Sequence, residues 1–234
     1  MKHYTDLING LNRYLTLYDE GLKKQANTYL KDFMNVFKKA VLQEEMDALI
    51  CRFCREYCDE HKHWNLSRRG NGELPFEFDK MVSAYLKLQC EAEKMPQMRW
   101  AFEIYGYRFN LFNGSADCES NTLIQKAYVH KNRDAKTAEL YFKTLLDVLD
   151  WGAHHFPDGC LIERDYYEKT VKAAKSVLAE NVINAQLSTC LYEYVKLYKC
   201  WFEYIACGKT KDFYELSKAA GLVFTPPISY NYQR

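Results

Sequence analysis

The sequence predicts an all-α protein, an antiparallel array of about ten amphipathic helices, with an irregular α-solenoid as the alternative arrangement. Three observations predict it. Apolar residues recur at three- and four-residue steps along nearly the whole chain. Strict two-residue alternation, the mark of a half-buried strand, is hard to find. Ten glycines and five prolines in 234 residues are about half the usual share, so long stretches run without a helix breaker.

The elements follow in order. Tyr4, Leu7, Ile8, Leu11, Leu15 and Tyr18 mark a first helix that stops at Gly21. Leu22, Ala26, Tyr29, Leu30, Phe33, Phe37 and Val41 mark a second, and Met46, Leu49, Ile50, Phe53 and Tyr57 a third. A polar loop from His63 to Glu73, with Gly70 and Gly72, precedes Pro75. Two helices then run over 76–95 and 97–112, parted at Pro96, a residue suited to a first helical turn. After the loop 113–117 comes a short helix over 122–131, and after it a longer one through Ala138, Tyr141, Leu145, Val148 and Gly152. Pro157-Asp158-Gly159 is turn chemistry and ends that helix by Phe156. Further helices are predicted over 161–179, over 183–205 with Gly208 as its stop, and over 211–220 before Gly221. The tail from Leu222 holds Pro226-Pro227 and reads as extended.

We read residues 1–234 as a single all-helical domain, with a weak seam at 113–121. Tyr105-Gly106 and Phe109 resemble a fragment of a tetratricopeptide pattern, but no second copy lies a period away. With 48% apolar and 27% charged residues, the composition excludes a disordered chain and a membrane protein. No window reaches the length of a membrane span, and the first residues, Met1 to Asp6, hold no apolar core of a secretory signal. Nine cysteines are an odd number and fall inside helical patterns, which fits a reducing cytoplasm. A net charge of +1 offers no bulk attraction for nucleic acid or anionic lipid.

Few residues assemble into chemistry. Cys51, Cys54, Cys58, His61 and His63 offer zinc-ligand types at close spacing. On a helix, however, Cys51 and Cys58 stand about 10 Å apart along the axis. Two thiolates on one zinc must lie within about 4.6 Å. Packing of small thiols beside the apolar stripe is the better reading, and no cofactor is expected. Asp147, Asp150, Trp151, His154 and His155 form a second set, in which Asp150 and His154 share a helix face. That set supports an alternative function, a helical hydrolase or metal-dependent enzyme centred on Asp150 and His154. Histidines in a last helical turn also suit the exposed carbonyls there. Phosphate-binding glycine loops and a nucleophile elbow are absent from the sequence. The basic stretch Lys62, His63, Arg68 and Arg69 around Trp64 is short, and nucleic-acid binding is not expected from it.

What remains is surface. Nineteen Tyr, thirteen Phe and four Trp exceed what a core of this size obviously needs, and Tyr and Trp dominate interface hot spots. Asp147, Asp150, Asp158, Glu163 and Asp165 crowd one helix–turn–helix beside Tyr166 and Tyr167. We read these seven residues as a partner-binding surface suited to a basic protein.

In whole-chain character, helical and aromatic-rich with no catalytic motif, the sequence resembles the small cytoplasmic immunity proteins of bacterial toxin–immunity pairs. The resemblance implies a non-catalytic protein that binds and blocks a cognate toxin, often a nuclease. Its partner would then be a basic toxin domain.

Overall fold

A computed structural model describes residues 2–66, 74–106 and 120–223 of the chain. Within them the backbone forms ten α-helices and one short 3-10 turn, Trp64–Leu66, and no strand. The chain divides into two compact units, Met1–Asn132 and Arg133–Arg234. The seam expected at 113–121 falls inside the first of these, and its residues up to 119 lie outside the described ones. So do the glycines of the 63–73 loop and the proline tail from Phe224.

The first unit holds α1 (Lys2–Asp19), α2 (Lys23–Ala40), α3 (Gln43–Cys58), α4 (Phe76–Glu91), α5 (Gln97–Tyr105) and α6 (Ser120–Val129). Short connections make α1 pack on α2 and α4 on α5; α3 rests on α4 and α5, and α6 on α5. Its core runs through Leu7 and Leu11, Leu30 and Met34, Phe53, and Phe78 with Leu86. Each pair recurs at the helical step that the sequence shows. α4 stops at Glu91, four residues earlier than its periodicity suggests. Lys94 N–H turns back to the Gln89 carbonyl, and Pro96 holds the residue before it away from helical backbone.

The second unit holds α7 (Ala135–Ala153), α8 (Arg164–Leu178), α9 (Ala185–Ala206) and α10 (Phe213–Ala219). α7 packs on α8, α9 lies against both, and α10 covers part of α9. Side chains cap three of these helices. Asp134 accepts from the Thr137 N–H, Asn184 from Leu187 and Asp212 from Tyr214 and Glu215. Gly208 stops α9 at a φ of 65°, a conformation that costs glycine nothing. α8 starts at Arg164, three residues later than expected, because the turn after Pro157 is held by His155 and Gly152 carbonyls until Glu163.

The aromatic surplus goes inward far more than the sequence suggests. Phe156 stacks on Trp201 at 4.6 Å and meets Tyr198 and Phe213 edge-on, so one aromatic cluster forms the heart of the second unit.

Candidate functional site

α7 turns Tyr141, Phe142, Leu145, Leu149 and Gly152 into its unit, which leaves Asp147, Asp150, Trp151 and His154 on a solvent-facing stripe. Trp151 keeps 57% of its surface in water. The Tyr194 hydroxyl, from α9, donates to Asp150 Oδ1 at 2.7 Å. Burial of that hydroxyl and its carboxylate partner raise the Tyr194 pKa. Partial desolvation, then the neighbouring Asp150, raise the pKa of Asp147, while Lys143 opposes both.

The remaining predicted residues lie beyond the turn. Asp158 is exposed there, and its backbone carbonyl accepts from Lys209 Nζ at 3.4 Å. Glu163 precedes the first turn of α8, and Asp165 lies within it, where a carboxylate suits the exposed N–H groups. Tyr166 is 43% exposed. Tyr167 is different: half-buried, it stacks on Tyr198 at 4.4 Å and meets Phe202 edge-on. Among the described residues, none of the five carboxylates forms an ion pair with a lysine or arginine, whereas Glu139, Glu168, Glu180 and Glu203 all do.

Asp150 and His154 are not joined by a hydrogen bond; the His154 ring lies edge-on to His155 at 5.3 Å. Along α3, Cys54 and Cys58 are buried in the core, and Cys51 is half-buried beside Gln97. Burial pushes the Cys54 thiol pKa up. Of the two histidines in that motif, His61 meets Trp64 edge-on and His63 reaches Glu56. Among the described residues, no three His, Cys, Asp or Glu converge as metal ligands. In the basic stretch Lys62 pairs with Glu60 and Trp64 donates to the Tyr57 carbonyl; Arg68 and Arg69 lie outside the described residues.

The first unit holds a polar cluster that sequence reasoning missed. Glu56, buried, accepts from Tyr4 at 2.7 Å, Arg52 at 2.8 Å and His63 at 2.9 Å. The Arg52 guanidinium also lies 3.9 Å over the Tyr4 ring. Nearby Arg99, buried, pairs with Asp59 and Glu103. A signal existed: Glu56 sits three residues after Phe53 and seven after Leu49, on the apolar stripe of α3. Burial by itself would raise the Glu56 pKa, but the donors Arg52, His63 and Tyr4 outweigh it and hold the carboxyl at about 2. With every oxygen satisfied, the cluster fastens α1 and the 61–66 turn to α3.

Compared with known proteins, the chain matches no family model, no curated protein and no solved structure.

Proposed function

We propose that the chain is a non-catalytic cytoplasmic protein whose second unit binds a basic protein partner through its acidic, aromatic face. The single observation that carries this reading is the absence, among the described residues, of ion pairs at Asp147, Asp150, Asp158, Glu163 and Asp165 beside the exposed rings of Trp151 and Tyr166. Unneutralised carboxylates steer a cationic partner, and exposed Trp and Tyr supply the apolar anchors of a hot spot. No described helix is long and apolar enough to cross a membrane. The partner class is a bacterial toxin domain, in keeping with the immunity-protein resemblance.

The test is titration calorimetry with the basic protein that co-purifies from the native host, at two salt concentrations. Asp158→Lys with Asp165→Lys should weaken binding by about 2 kcal/mol or more. The same pair should change unfolding free energy by less than about 1 kcal/mol. Affinity indifferent to both the substitutions and the salt would move the interface away from this face.

A further inference from the structure

A groove of about 520 Å³ runs along α8. Tyr167, Val171 and Ala179 form an apolar floor, and Glu168, Lys172 and Lys175 stand on its rim. Glu168 is held by Arg164 at 3.0 Å, whereas Lys172 and Lys175 are exposed and form no ion pair among the described residues. The groove therefore presents two free cations three residues apart over an apolar strip. Its natural complement is a helix bearing two anions three residues apart beside an apolar ring.

The chain itself carries such a helix. On α7, Asp147 and Asp150 have the same spacing, about 4.5 Å of axial rise. Trp151, 57% exposed, follows them on the same side of the helix, one turn beyond Asp147. α7 and α8 pack against each other in one unit, so each copy presents both the stripe and the groove. We propose that the α8 groove receives the α7 stripe of a second copy of this chain. The contact is reciprocal across a two-fold axis, with Trp151 over the Tyr167–Val171 floor and each aspartate against a lysine. The stripe belongs to the partner face described above, so a second copy and a basic partner compete for it. The self-association is read on the purified chain alone, and its failure leaves the partner reading standing.

The experiment is sedimentation equilibrium of the full chain. At low salt a dimer is expected, weakening at least tenfold in about 1 M salt, where the Debye length is about 3 Å. Lys172→Glu with Lys175→Glu, and separately Asp147→Lys with Asp150→Lys, should each weaken association at least tenfold. Circular dichroism checks that each variant is folded. An equimolar mixture of the two variants should associate again, because each then meets its opposite charge. A wild-type chain that stays monomeric at low salt, a lysine-reversed variant that dimerises as well as the wild type, or folded variants that stay monomeric when mixed would each overturn the proposal.

Discussion

A carboxylate taken out of water stays ionised only where donors converge on it, and Glu56 has three, from Tyr4, Arg52 and His63. Its pKa in the fold, about 2, lies below the ordinary 4.5. A depressed folded value means stability that is present above pH 4.5 and lost as the pH falls toward 2. Wild type should therefore lose about 2–3 kcal/mol relative to Glu56→Gln across that window, read from urea unfolding at each pH. A difference that does not change with pH would show that the charge at Glu56 does not carry the cluster. Cysteines give a second expectation at this scale. Backbone N–H of Lys211, helped by the Thr210 hydroxyl, lowers the Cys207 pKa, whereas burial raises Cys54 and pushes Cys90 up to about 12. Iodoacetamide at neutral pH should label Cys207 before Cys90, and Cys54 last, as followed by peptide mass spectrometry. Labelling of Cys54 in the first phase would contradict its burial. The Glu56 cluster was partly legible, since a charge sat on an apolar stripe. Which donors reach it was not, because Tyr4 and Glu56 are 52 residues apart and only packing brings them together.

Helix ends and helix crossings obey different logic. Asp134 caps α7, accepting from both the N–H and the hydroxyl of Thr137, so Asp134→Ala should cost about 1 kcal/mol. Asp134 went unremarked in the sequence, although an Asp before an apolar-periodic run is the signal of such a cap. Gly152 reads in the sequence as one more position of the α7 pattern, yet it lies where α7 meets the chain after its turn. A Cβ there would stand 2.6 Å from Ile162 Cγ1 and press on the Tyr198 hydroxyl, which donates to the Leu149 carbonyl. Alanine improves helix propensity by up to about 1 kcal/mol. Overpacking costs about 1–3 kcal/mol and should win, so Gly152→Ala is expected to lower the thermal midpoint. Gly159→Ala, with no atom within 4 Å of the added carbon, should leave it unchanged or raise it slightly. Equal effects at the two glycines would mean that the crossing tolerates the extra methyl.

At the scale of the whole molecule, eight described cysteines are free thiols, and each unit has its own core of interlocked helices. Thermal unfolding with and without reductant should agree to within about 3 °C, which is under 1 kcal/mol for a chain of this length. A larger loss under reductant would require a disulfide that the fold does not use. Among the described residues, the all-helical class and most helix stops were legible in the sequence, because periodicity and glycine stops act over a few neighbouring residues. The exposure of Asp147 and Asp150 was legible for the same reason, since both lie opposite the apolar stripe of α7, but the Tyr194 hydroxyl that reaches Asp150 was not. The roles of the aromatic residues were not. Tyr166 and Tyr167 are neighbours with the same chemistry, yet one ring faces water and the other stacks on Tyr198. Likewise Lys172 and Lys175 look like any solvated pair until α8 shows the apolar floor beside them. Local sequence decides which way a helix turns its residues. Only the packing of one helix on another decides which rings are covered and which charges remain without a counter-ion, because contacts across long separations do not leave a periodic trace in the chain.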